Sequence, residues 1–503
     1  MANTEQTVAQ FRDYLKQILH YEEALSLMYW DLRTGAPKKG VPLRAEAIGT
    51  LSEEVFSRNT SPQMEEYLNQ LTDPAVYTTL DPVMQATVRE VKKQFDRTKK
   101  IPIDRYKEYV MLTSQAESVW EDAKHTNNFA LFRPYLEKIV AMNIEFAGYW
   151  GYQDNRYDTL LDQYEPGMTV KQLDKLFGDL RGDLVALVQR IVDSGIRPDV
   201  RPFLGYFPKD KQRQLALSML EKLGYDFDAG RLDETVHPFE TTINRFDVRV
   251  TTNYNERDVR TALFGVIHEC GHALYEQGIS TDLMGTPLCT GASMGIHESQ
   301  SLFFENIIGR SREFWEAHYD ELKNVFPSFH EVSLDAFYRG INDVHPSFIR
   351  VEADEVTYAL HIMIRYELEK ALINEELKVA DVPEVWRSKM KEYLGVVPET
   401  DSQGVLQDVH WAGGSFGYFP SYALGYIYSA QFRHALAKEM PDFRERIRSG
   451  NVLDVRQWLK ENIHRHGKML TPREIVKSVT GEEIDSRYLV DYLNEKYLPL
   501  YQG

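Results

Sequence analysis

The chain has 503 residues, with 58 basic and 76 acidic side chains, so its formal net charge is −18. Hydrophobic residues make up 43%, enough for a large buried core, which excludes general disorder. So acidic a surface argues against nucleic acid or an anionic membrane as the main partner, because both need concentrated positive charge.

The amino terminus, MANTEQTVAQFRDYLKQ, lacks a basic flank, an apolar stretch and a small-residue cleavage site, so it does not read as a secretory signal. Helical periodicity then recurs along the chain, over Val8 to Met28, Leu80 to Phe95, Tyr106 to His125 and Phe132 to Tyr149. From Thr169 to Ser194 it is sharpest: Leu173, Leu176, Phe177, Leu180, Leu184, Leu187, Val188 and Ile191 form one stripe. Thr169 can cap that helix and Gly195 can stop it. Turns are signalled at Thr34-Gly35-Ala36-Pro37 and Leu204-Gly205-Tyr206-Phe207-Pro208. Residues 232–254 break the pattern, because the β-branched alternation of Asp247-Val248-Arg249-Val250-Thr251-Thr252 suggests a strand or hairpin. A further helix is expected from Val351 to Leu377. No repeat or long linker intervenes, so residues 1–503 are expected to form one large, mainly α body, single or two-lobed, with its informative core at 230–430. Only Cys270 and Cys289 occur, which fits a reducing, cytoplasmic setting, and no stretch approaches the ~20 apolar residues of a membrane span.

Within a helical stretch, His268-Glu269-Cys270-Gly271-His272 forms an H-E-x-x-H motif. Four residues advance a helix by about 400°, so the two imidazoles project from one face and can reach one zinc ion. Glu269 is offset and can contact water beside the metal without being a ligand. Cys270 points away from both histidines and reads as a small buried residue. Gly271 costs a helix ~1 kcal/mol relative to alanine, which a close backbone approach would explain. A zinc with one position open to water needs a third protein ligand. The next candidate is Glu298, which lies 298 − 272 = 26 residues after His272, at the head of an expected helix from Ile296 to Ile308. The bland alternative for Glu298 is a surface carboxylate in a first helical turn. His297 diverges from it by 100° and is cast as a contact to substrate or as a support for a ligand.

The motifs run in order through His237-Pro238-Phe239, Asp247-x-Arg249-x-Thr251, His268-Glu269-x-x-His272 and His297-Glu298-Ser299-Gln300. Ile349-Arg350-x-x-Ala353-Asp354 and Gly404-x-x-Gln407-Asp408-x-His410-Trp411 follow, with looser echoes at Tyr29-Trp30-Asp31 and Tyr164-Glu165-Pro166-Gly167-Met168. This set resembles the thermostable carboxypeptidase (carboxypeptidase Taq) family of zinc metallocarboxypeptidases. The resemblance implies an almost all-helical, zincin-type fold with a deep central groove and one zinc per subunit, Co2+ being a plausible substitute. It also implies a homodimer, and removal of carboxy-terminal residues from peptides with broad specificity.

An exopeptidase of this kind needs a cation for the substrate carboxylate, and arginine offers a bidentate fork. Arg350 shares an expected helix face with Asp354, Thr357 and His361. It is either a substrate contact, as the resemblance favours, or half of an i,i+4 pair with Asp354 worth ~0.3–0.5 kcal/mol. A donor for the developing oxyanion is also required. His410 and Tyr422 are the candidates, with Tyr418 behind them and an aromatic core cluster as the alternative reading. Asp247 and Arg249 are expected to hold one another, and His237 to line the groove. The rivals are an oligopeptidase or dipeptidyl carboxypeptidase with the same metal chemistry, and a helical binding scaffold with a structural zinc. Structural zinc sites usually have four protein ligands, and only three good ones are evident here.

Overall fold

The computed structural model of the chain describes residues 2–502. Helices dominate, and they carry the stripes legible in the sequence. The helix Val170–Asp193 begins at a capping box, in which Thr169 and Gln172 satisfy each other's backbone N–H groups. It ends before Gly195, whose φ of +68° suits glycine. The first helix, Ala2–Thr34, outruns its apolar stripe at both ends and stops at the expected turn. The next three expected helices are found as Pro82–Lys100, Ile103–His125 and Phe129–Trp150.

Residues 232–252 supply three strands, β1 (Leu232–Glu234), β2 (Glu240–Asn244) and β3 (Asp247–Thr252), in the order β1-β3-β2. The hairpin pairs β2 antiparallel to β3, and β1 adds a parallel strand on the other side. Val248 and Val250 turn inward and are fully buried, while Asp247 and Arg249 turn outward and form a bidentate pair at 2.7 Å. Arg249 also lies over the Trp30 ring, which itself meets Phe239 edge-on, so the first helix is tied to the sheet. The apolar interior forms one large cluster and a smaller one of Phe11, Leu15, Met64, Leu68, Met84 and their neighbours near the amino terminus. No helix is long and apolar enough to cross a membrane among the described residues.

One expected element is corrected. The helix read from Val351 runs only from Tyr358 to Ile373. Asp354 Oδ1 accepts from the backbone N–H groups of Val356 and Thr357, and Oδ2 from His345 N–H, so the chain turns there and does not wind. The i,i+4 pairing of Arg350 with Asp354 is therefore not made. The arginine sits in a short 3-10 turn, Arg350–Glu352, and reaches elsewhere.

Candidate metal centre and its surroundings

The motif helix, Val259–Gly278, starts at Asp258, whose carboxylate accepts from Arg260 N–H. It is apolar nearly all round and lies in the core, with Val266, Ile267, Cys270, Ala273 and Leu274 at zero exposure. Cys270 is thus a buried free thiol, and burial pushes its pKa well up. The second helix, Met294–Leu302, is capped by Ser293 and passes directly into a π-helical turn, Phe303–Gly309, where a continuous helix was expected.

These two helices bring His268, His272 and Glu298 together, with one ligand atom of each within 4.8 Å of the others. Glu298 Oε2 stands 3.4 Å from His272 Nε2 and 3.8 Å from His268 Nε2. Tetrahedral ligands at ~2.0–2.1 Å from zinc lie roughly 3.3–3.4 Å apart, so the donor set fits such an ion after small adjustments. The orientation fits as well, because both Nδ1 atoms are turned away and occupied. His268 Nδ1 lies 2.9 Å from Glu305, which Arg310 holds at 2.8 Å, and His272 Nδ1 lies 2.6 Å from His297. His297 in turn places Nε2 3.0 Å from Glu276. Both ring nitrogens of His297 are thus engaged, by His272 and Glu276, and its expected role as a substrate contact has no free atom to act through.

Electrostatics favour a cation here. Burial would lower the pKa of His268, but Glu298, Glu305 and Glu269 outweigh it and hold the ring protonated up to about 10. His272 goes the other way, to about 4, through burial against the help of Glu298. Glu269 is pushed up to about 7, chiefly by burial. Without a metal the pair of imidazoles therefore carries one proton more than two neutral rings, a single positive charge among the carboxylates.

Glycines let the backbones close in. A Cβ on Gly271 would lie 2.5 Å from Gln300 O and Ser301 Cα, so the motif glycine marks the helix–helix contact that its cost implied. A Cβ on Gly425, in the helix Pro420–Glu439, would lie 2.7 Å from Glu298 Cγ. At the head of the second helix, the buried Glu165 accepts from Gly295 N–H at 3.1 Å and from the Tyr428 hydroxyl at 2.6 Å. This accounts for one of the looser motifs.

The remaining candidates form a second group. Arg350 donates to Asp408 through Nε and Nη2, at 3.0 and 2.8 Å, and through Nη1 to the Tyr358 hydroxyl at 2.7 Å. Asp408 also pairs with the fully buried Arg365 at 2.6 Å. The burial that would raise the Asp408 pKa is overcome by these two guanidinium groups, which hold it well down. His410 Nε2 is 3.4 Å from the Tyr422 hydroxyl, and the His410 ring packs on Phe419 at 4.4 Å. Burial takes His410 down to about 4, so its imidazole is neutral near pH 7. Tyr418 and Tyr422 meet edge-on at 5.2 Å, and both feel the Glu298 charge. Glu369 fastens this loop by accepting from Trp411 Nε1, Gly417 N–H and the Tyr157 hydroxyl. His237 is exposed between β1 and β2 and stands apart from this hydrogen-bond network.

Sequence reasoning missed Glu276, Glu305, Arg310 and Arg365. Glu276 carried a signal, since it lies four residues beyond His272 on the same helix face. Glu305 carried none, because a π turn shifts the register by which its direction would be read.

The family described as carboxypeptidase Taq (M32) metallopeptidase matches residues 10–497. "Carboxypeptidase 1" of Bacillus subtilis is 53% identical over 496 residues, covering 98% of each chain. "Thermostable carboxypeptidase 1" of Thermus thermophilus is 43% identical, covering 95% of each. Among solved structures, an M32 carboxypeptidase from Deinococcus radiodurans R1 superposes with a TM-score of 0.96 at 32% identity, over 99% of each chain. The chain belongs to the carboxypeptidase Taq (M32) family of metallopeptidases.

Proposed function

We propose that this metallopeptidase is a zinc carboxypeptidase that removes single residues from the free carboxy terminus of peptides, with broad specificity. The observation that carries the exopeptidase reading is the buried group of Arg350, Asp408 and Arg365. Two guanidinium groups face one carboxylate, which leaves a surplus positive charge for a peptide carboxylate to complement. Tyr358 links Arg350 to the ion site, since it receives the Arg350 hydrogen bond and feels the charge of Glu298.

His268, His272 and Glu298 would hold the ion, which is zinc in this reading and replaceable by Co2+. A divalent ion held there would polarise the scissile carbonyl and acidify water. Glu269 takes the proton of the attacking water and returns it to the leaving amine, a role suited to a carboxyl lifted by burial. Neutral His410 and the hydroxyl of Tyr422 or Tyr418 donate to the developing oxyanion. Arg350 keeps unpaired N–H groups beyond those given to Asp408 and Tyr358, and these bind the terminal carboxylate. A homodimer and a cytoplasmic location extend the proposal on the family resemblance, the location also on the two unpaired cysteines.

The test is product analysis on an amino-blocked peptide of about five to ten residues, a length suited to a small-ligand groove. Stepwise loss of single residues from the free carboxy end is expected. Internal cuts would establish an oligopeptidase, and losses in pairs a dipeptidyl carboxypeptidase.

A further inference from the structure

The two imidazoles of the ion site rest on different supports. His268 leans on an ionised pair, Glu305 with Arg310. His272 leans on a second histidine, with Nδ1 facing Nδ1 at 2.6 Å and the ring planes tilted by 32°. His297 then reaches Glu276 Oε1 at 3.0 Å, and that same oxygen accepts from Gly291 N–H at 2.8 Å and Thr290 Oγ1 at 3.2 Å.

Two arrangements of protons satisfy this run of contacts, and only the one with a neutral His297 leaves a lone pair on His272 Nε2 for an ion. Glu276 is an acceptor for Gly291 and Thr290, so His297 donates to it through Nε2, and the neutral ring keeps a lone pair on Nδ1. His272 must then donate through its own Nδ1, which leaves the Nε2 lone pair facing Glu298. The His297 ring has little room to turn. A Cβ on Gly291 would lie 2.6 Å from His297 Cδ2 and 3.0 Å from Tyr275 Cε1, so backbone closes on the ring where a side chain would displace it.

We infer that Glu276, His297 and Gly291 are positioning residues that fix the tautomer of His272 and hold its Nε2 toward the ion. This rests on the metal reading above and deepens it, by assigning a ligand's support to the end of the motif helix and the loop around Gly291.

Metal binding by the full-length chain tests it directly, with zinc alone as the probe and a competing chelator as the gauge. His297→Phe keeps the ring but removes the acceptor, and should weaken zinc binding about 10–100-fold. His297→Gln is the rescue variant, because its amide can accept from His272 while donating to Glu276, and it should bind within a few-fold of the parent. Gly291→Ala should fall between them, and the Co2+ absorption spectrum should shift in His297→Phe but not in His297→Gln. Unfolding midpoints of the metal-free variants separate loss of the ligand's support from loss of the fold. His297→Phe binding zinc as tightly as the parent, or His297→Gln binding no better than His297→Phe, overturns the inference. Should His297→Phe fail to fold, the Gln and Gly291→Ala pair decides it, and parental affinity in Gly291→Ala counts against it. A parent chain that takes up no zinc at all would instead remove the metal reading itself.

Discussion

Gly271 offers the sharpest quantitative test of how the two helices of the candidate metal centre are held. A methyl group there would stand 2.5 Å from Gln300 O and Ser301 Cα, both backbone atoms, where ordinary contact begins at 3.4 Å. The helices must therefore part by 3.4 − 2.5 = 0.9 Å. Alanine in place of glycine favours the helix by ~1 kcal/mol, while overpacking costs ~1–3 kcal/mol, so Gly271→Ala should lose between nothing and about 2 kcal/mol. The effect on the site should be larger than that on the fold. Glu298 lies two residues before Gln300 on the displaced backbone, and a misplacement of ~1 Å can cost about a hundredfold in rate. Gly178, in the helix Val170–Asp193, has nothing within 4 Å of its Cβ position. Gly178→Ala is the control and should gain up to ~1 kcal/mol. Urea unfolding of the metal-free proteins reads the first effect, and the rate of peptide hydrolysis at full metal content, with chelator competition for zinc, reads the second. Should Gly271→Ala prove as stabilising as Gly178→Ala and keep parental zinc affinity, the close helix contact would not be what places Glu298.

Glu269→Gln should retain the metal and lose about 10²–10⁴ in peptide hydrolysis, and near-normal turnover at full metal content would remove Glu269 from proton transfer. Arg350→Ala should impair free-acid peptides far more than their carboxy-terminal amides, and equal losses on both would reduce Arg350 to a structural role. Two buried histidines should each withdraw stability in acid. Burial, aided by Arg456, lowers His464 to about 3, and burial lowers His410 to about 4 against the opposing charge of Asp408. The unfolded chain protonates each near pH 6.5, so below that pH it binds more protons than the fold does. The contribution of these histidines is therefore full above about pH 6.5 and falls on acidification by up to ~1.4 kcal/mol per pH unit per histidine, until the folded values are reached. Buried Glu165, Glu269 and Glu369, which burial raises to about 7, act with the opposite sign over the same range, so the test is a difference. Urea midpoints between pH 7 and 4 should fall less, or rise more, in His464→Gln than in the parent, and parallel profiles contradict the linkage.

Local signals served well where one residue type answers one physical need. The stripe from Leu173 to Ile191, the cap at Thr169 and the stop at Gly195 are all present as read. The costly Gly271 foretold a close backbone approach, which Gln300 and Ser301 make. What stayed hidden depends on partners distant in sequence. Nothing near Arg350 indicates that Asp408, 58 residues on, would take its guanidinium and leave Asp354 to end the preceding turn. Likewise Glu165 and Glu369 look like ordinary helix or loop acids, yet the fold buries both to hold Gly295 and Gly417. Hydrophobic periodicity cannot report such buried polar contacts, because they are set by tertiary packing and not by spacing along one helix.

In the proposed chemistry three side chains grip one ion, and anomalous diffraction locates that ion without recourse to activity. Data collected on either side of the zinc absorption edge from zinc-loaded crystals should show one strong peak per chain. It should lie ~2.0–2.1 Å from His268 Nε2, His272 Nε2 and a Glu298 oxygen, with Glu305 and His297 outside the coordination shell. A peak elsewhere, or a fourth protein side chain closing the shell, would contradict the hydrolytic reading of the site.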